Sequence, residues 1–146
     1  MTKDVLVSIS GLQTTANEME RNEDEPIEVF REGTYYFKDG KHYIFFEEME
    51  EGNLGVTKTQ IRIQGDETLE VIKKGISNMH LVLTQGKTND CYYRTPFGGM
   101  KIETATDRLF IDKQEERIYV QAEYGLIMDG NRLADNLVTI NIKPRV

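Results

Sequence analysis

The side chains that could do chemistry in this chain are few, and most of them stand alone. Glu47 and Glu48 are neighbours in a run rich in aromatic and β-branched residues, Tyr43-Ile44-Phe45-Phe46-Glu47-Glu48. On a strand, adjacent side chains point to opposite faces, so one of the two carboxylates is expected to face the interior, the alternative being that the strand frays into the loop by Glu48 and leaves both wet. An ionised carboxylate is costly to bury alone and needs a partner. Arg94 is the expected partner, and Glu48 the expected inward member of the pair. The two histidines, His42 and His80, fall on separate segments with no Cys or paired carboxylate at metal-ligand spacing, so no metal site is expected. Cys91 is the one cysteine. With no base at recognisable spacing it reads as a buried, inert thiol, and an internal disulfide is excluded. Phe97-Gly98-Gly99 reads as a turn, because no strand-loop-helix context makes it a phosphate loop. No Gly-x-Ser-x-Gly elbow is present, which leaves serine hydrolase chemistry without its scaffold. No catalytic residue and no cofactor are expected.

The elements that position these residues are strands. Period-two alternation recurs in short segments separated by turn residues. Val5, Val7 and Ile9 share a face; Thr57, Thr59, Ile61 and Ile63 oppose Lys58, Gln60 and Arg62; Met79, Leu81 and Leu83 oppose His80, Val82 and Thr84. Ile118, Val120, Ala122, Tyr124 and Leu126 alternate with polar residues, and Val138, Ile140 and Ile142 repeat the pattern near the C-terminus. Asp39-Gly40 predicts a type I′ hairpin, since both positions of that turn need positive φ. Gly33 predicts a bulge or bend inside Ile27 to Lys38. Asp129-Gly130-Asn131 turns the chain once more, and no segment has a convincing helical period.

About ten strands joined mostly by short turns imply nearest-neighbour antiparallel pairing. So wide a sheet tends to curl, and closure removes its edges. The expected fold is all-β: an antiparallel up-and-down barrel of calycin or lipocalin type with about 8–10 strands, in one domain over residues 1–146. A two-sheet β-sandwich is the alternative. Tyr43-Ile44-Phe45-Phe46-Glu47-Glu48, Thr57-Lys58-Thr59, Arg94-Thr95-Pro96-Phe97-Gly98, Thr104-Ala105-Thr106 and Asn136 together resemble the YwiB-like family of uncharacterised bacterial proteins. The resemblance spans nearly the whole chain and implies a calycin-like barrel. It implies no activity.

A formal charge of −7, from 18 basic and 25 acidic residues, with the basic ones scattered, argues against a nucleic-acid partner. No apolar run is long enough for a membrane helix, and Met1 to Ser10 has no signal-peptide core, so a cytoplasmic chain is expected. The acidic run Glu18, Glu20, Glu23, Asp24 and Glu25 reads as a solvated loop. Tyr43 and Phe45 alternate with Ile44 and Phe46, so that strand is apolar on both faces. Its outer face is expected to be covered by segment 13–26 or by a second copy in a homodimer.

Strand direction then places a site. Glu48, Thr57, Thr59, Arg94, Tyr124 and Asn136 all fall toward one rim of an up-and-down barrel and are expected to line a polar mouth. Ile44, Phe46, Ile61, Ile63, Val120, Ile140 and Ile142 form an apolar floor beneath it. A small molecule, an anion that displaces Glu48 from Arg94, is the expected ligand. Thr104 and Thr106 are expected at the opposite rim. Two other classes of function are weighed beside this one: a filled barrel serving as an interaction or structural module, and an enzyme using Glu48 as acid or base.

Overall fold

The computed structural model describes residues 3–15, 27–49 and 55–145. Ten strands run in chain order: β1 (Asp4–Thr15), β2 (Ile27–Lys38), β3 (Lys41–Met49), β4 (Val56–Gln64), β5 (Thr68–Lys74), β6 (Asn78–Thr84), β7 (Thr88–Thr95), β8 (Gly98–Gln114), β9 (Arg117–Met128) and β10 (Asn131–Pro144). Each pairs antiparallel with its sequence neighbours, and β10 returns to β1, so the sheet closes into a barrel. Closure rules out the two-sheet sandwich: the β1–β10 ladder runs from Val5↔Pro144 to Thr15↔Ala134 and leaves no free edge. Among the described residues no helix is long and apolar enough to cross a membrane.

The turns follow from residue type. Asp39 (φ 53°) and Gly40 (φ 77°) join β2 to β3, and Asp129 (φ 52°) with Gly130 (φ 80°) join β9 to β10, so both pairs have the positive φ that a type I′ turn needs. Gly33 marks no register shift in the β1–β2 ladder. Its role is close approach, because a Cβ there would stand 2.7 Å from the Phe45 carbonyl oxygen. Beyond Thr34↔Phe45 the β2–β3 ladder stops, and the two strands part toward the rim where β3 ends.

Register carries one inward row around the barrel at each level. Toward the Asp39-Gly40 end, Val5, Val7, Ile44, Ile61, Ile63, Leu69, Leu83, Ile118, Val120, Ile140 and Ile142 are no more than 2 % exposed and fill the cross-section. Phe46 closes this plug from above at 4 % exposure. The expected apolar floor is therefore present and solid.

Thr104 and Thr106 do not end a strand at the opposite rim. β8 does not stop at Asp107-Arg108; a register shift between Thr106 and Arg108 absorbs the extra residue and the strand runs on to Gln114. Both threonines are buried at mid-height. The β6–β7 ladder covers only Asn78↔Arg94 to His80↔Tyr92, and side chains replace the missing rungs. The Val82 N–H donates to Cys91 Sγ at 3.2 Å, and Thr104 Oγ1 donates to the Val82 carbonyl at 2.7 Å.

Candidate functional site

Above the floor the inward row turns polar. Glu48 pairs with Thr57, Thr59 with Phe46 on one side and Lys73 on the other, Lys73 with Met79, and Met79 with Tyr93. Further round, Thr106 pairs with Tyr124 and Tyr124 with Asn136. Five of the six residues expected at the mouth thus face the interior: Glu48, Thr57, Thr59, Tyr124 and Asn136.

Arg94 is the exception. On β7 the inward members are Cys91 and Tyr93, so strand alternation turns Tyr92 and Arg94 outward, and both are exposed. The expected Arg94–Glu48 pair does not form, and an anion cannot work by separating it. Glu48 is held instead by Arg31, whose Nη2 lies 3.1 Å from Oε2. Arg31 sits opposite Val7 in the β1–β2 ladder, so it projects inward where β2 and β3 have parted. The ion pair bridges the break in the wall. Lys73 is the second inward cation. It continues the inward face of Leu69 and Val71, and among the described residues no carboxylate forms an ion pair with it.

Two cavities lie in this half. One of about 360 Å³ is lined by Glu48, Met49, Thr57, Lys73, Ile76, Ser77, Met79 and Tyr93. The other, about 330 Å³, is walled by Leu81, Cys91, Ile102, Tyr124, Leu126 and Asn136, and shares Met79 and Tyr93 with the first. The expected residues are therefore divided, Glu48 and Thr57 on one side and Tyr124 and Asn136 on the other, with Thr59 at the boundary with the floor. Thr59 Oγ1, Thr106 Oγ1 and Asn136 Nδ2 are buried without a hydrogen-bond partner among the described residues. Buried polar atoms are nearly always paired, so these three mark a region that the described residues do not complete.

Burial pushes the Tyr124 phenol up to about 12, with the Cys91 thiol nearby as a second, electrostatic cause. Tyr124 is thus a neutral hydroxyl at any ordinary pH, able to donate a hydrogen bond. At the other end of the barrel His42 Nδ1 and Tyr35 Oη are 2.6 Å apart. Burial first, and then the charge of Lys113, lowers the pKa of His42 and so favours its neutral imidazole. No nucleophile with an adjacent base is assembled among the described interior residues. The arrangement can hold an uncharged apolar group against Met79, Leu81, Ile102 and Leu126, and a polar or anionic group near Lys73, Thr57, Tyr124 and Asn136.

Comparison with known proteins accords with this geometry. The family described as Domain of unknown function (DUF1934) matches residues 9–140. The chain belongs to that family. It is 29% identical over 102 residues to the uncharacterized beta-barrel protein YwiB of Bacillus subtilis (strain 168), an alignment covering 70% of each chain. The crystal structure of the ywiB protein from Bacillus subtilis superposes with a TM-score of 0.78 at 20% identity, covering 99% of this chain and 93% of that one. The likeness establishes the barrel and carries no activity with it.

Arg31 and Lys73 are the site residues that reading by strand ends missed. Alternation was the signal that could have found both: Arg31 shares a face with Val29 and Gly33, and Lys73 with Leu69 and Val71. The covering of the Tyr43–Phe45 outer face by segment 13–26 lies largely outside the described residues. The two rings stack on each other, centroids 6.5 Å apart, with Arg62 over Tyr43 at 5.4 Å.

Proposed function

We propose that this barrel binds one small amphipathic anion, a carboxylate with an apolar body, in its polar half. The observation that carries the reading is Lys73, an inward-facing cation at the wall of a cavity in which the one inward carboxylate among the described residues, Glu48, is already neutralised by Arg31. A ligand carboxylate supplies the missing counter-charge. Its apolar body fits the space toward Leu81, Ile102 and Leu126, and the unpartnered Asn136 amide donates to whatever acceptor it carries. Cavities of this size fall at the lower end of the roughly 300–1,000 Å³ typical of small-molecule sites, which suits a metabolite and no macromolecule. The protein then serves as a carrier or sensor in the cytoplasm.

Thermal-shift and calorimetric titration with octanoate, decanoate and phenylacetate tests this. A carboxylate present at about 100 times its Kd adds about 2.7 kcal/mol to stability. Lys73→Gln is expected to remove that gain and Arg94→Gln to leave it intact. If no carboxylate raises the melting temperature, or if Lys73→Gln binds as well as the parent, the reading fails. The filled-barrel alternative rests on the solid floor, and predicts the same absence of ligand in every screen.

A further inference from the structure

A further concavity opens on the wall of the barrel. It is a groove of about 870 Å³ at the mouth end of β5 to β8, bordered by outward residues and also by Lys73, Met79, Tyr93 and Met100 of the inward row. Register lays out its surface: His80, Tyr92 and Lys101 form one cross-strand row, and Asn78, Arg94 and Gly99 the next, nearer the rim. Ile72 extends the first row opposite His80, and Lys74 follows on the second. Three cations therefore meet on one face of a protein whose formal charge is −7. Arg94 and Lys74 have no ion pair among the described residues, and Lys101 has only a 3.9 Å contact with the exposed Asp90. The Tyr92 ring is 59% exposed and stacks on no other ring among the described residues. Gly99 leaves the space opposite Arg94 free of any side chain.

We infer that this groove is a nucleotide site, taking a single nucleoside polyphosphate with its base on Tyr92 and its phosphates on Arg94 and Lys74. Aromatic rings accept any base face, and a guanidinium meets phosphate oxygens two at a time. Tyr92 and Arg94 are two residues apart on one face, roughly 6.5 Å, which is the reach from a nucleobase to its first phosphates. Lys101, across the strand from Tyr92, stands beside the ribose. Charge limits the length of the ligand. Below the cationic rows the same outer face carries Glu70, Asp90 and Glu103, so a strand of several nucleotides would run onto carboxylates. A lone nucleotide stays on the cations.

Equilibrium titration with ATP, inorganic triphosphate and an oligouridylate of about 12 nucleotides separates the contributions. ATP is expected to bind about tenfold more tightly than triphosphate, the difference being the stacked base. Tyr92→Ala should bring ATP down to the level of triphosphate without altering triphosphate itself. Arg94→Gln should weaken both about tenfold. Both side chains are exposed, so the melting temperature should hold. Should Arg94→Gln unfold the chain, the pair Lys74→Gln and Lys101→Gln replaces it with the same expectation. The proposal is overturned if ATP fails to bind at millimolar concentration, if Tyr92→Ala leaves ATP binding unchanged, or if the oligouridylate binds more tightly than ATP.

Discussion

The two halves of this barrel use the same inward positions for opposite ends. Around the Asp39-Gly40 end, every strand but β2, β7 and β8 contributes a Val, Ile or Leu no more than 2% exposed, β8 adds the buried Leu109 and Ile111, and the cross-section is full. Around the Met49–Val56 end, the same alternation delivers Arg31, Glu48, Thr57, Lys73, Tyr124 and Asn136, and two cavities open between them. The break in the β2–β3 ladder and the short β6–β7 ladder open the wall, the first in the polar half and the second at its lower boundary. A packed end can hold the fold while the other end is left incompletely satisfied. Under the proposed reading, that division lets a small barrel carry a site without losing stability.

The most severe test of this division is a pair of truncations at matched inward positions. Ile61→Ala removes a side chain that is 1% exposed and surrounded by the floor, and should cost about 2–5 kcal/mol in denaturant unfolding. Lys73→Gln, two strand levels higher, should cost within about 0.5 kcal/mol. Comparable losses at both positions would mean that the mouth is as structural as the floor.

Gly33→Ala tests the hinge between the halves. A Cβ would press on the Phe45 carbonyl oxygen at 2.7 Å, a backbone atom that cannot rotate away. The expected cost is roughly 1–3 kcal/mol, as for overpacking elsewhere. A neutral Gly33→Ala would show that β2 and β3 separate freely at this level.

How much of this was legible from the sequence depends on which rule each residue obeyed. The floor could be read directly, because Ile61 and Ile63, or Ile140 and Ile142, alternate with polar neighbours and β-branched side chains have no use on a wet face. Glu48, Thr57, Thr59, Tyr124 and Asn136, placed by strand direction, also have the inward parity of their strands. Arg94 was placed by its position at a strand end, and parity overruled it, since Cys91 and Tyr93 take the inner face. Thr104 and Thr106 sit at mid-height and not at the opposite rim, because β8 runs on through a register shift between Thr106 and Arg108, and a bulge that adds one residue resets the parity without a mark distinguishable from a strand end. The Arg31–Glu48 pair depends on two strands parting in space, which no local pattern records.

Tyr124 distinguishes the halves by alkaline titration. Its folded pKa is raised from 10.0 to about 12, so the neutral phenol favoured by the fold contributes stability that is whole below pH 10. That stability is lost as pH rises from 10 toward about 12. Phenolate absorbance should show one tyrosine ionising after the others, absent in Tyr124→Phe, and Tyr124→Phe should flatten the alkaline fall in melting temperature. Thr59→Val is expected to act in the opposite sense to most substitutions in a barrel wall. It removes a buried hydroxyl without a hydrogen-bond partner among the described residues while keeping the shape, and should raise stability by about 1 kcal/mol. A loss on Thr59→Val would reveal a hydrogen bond made by that oxygen.

The smallest effect expected is at the floor end, on the acid side. His42 lies beside Phe37, ring centroids 4.8 Å apart, and shares a 2.6 Å hydrogen bond with Tyr35. Its folded pKa lies below the ordinary 6.5, first because burial disfavours the imidazolium and then because Lys113 repels it. The unfolded chain therefore takes up its proton at a higher pH than the folded one. Stability from the neutral ring is whole above about pH 6.5 and falls as pH drops from there toward the folded pKa, below which the loss is constant. The ring is partly open to water, so the slope should be shallow. Melting curves between about pH 7 and pH 5 should show it in the parent and not in His42→Gln, once the carboxylates, which titrate lower, are matched between the two proteins. Lys113→Gln removes the second cause and should reduce the slope without abolishing it. A slope unchanged in His42→Gln would assign the acid sensitivity to other groups, among them the Arg31–Glu48 pair at the mouth and the His80–Glu70 pair on the outer face.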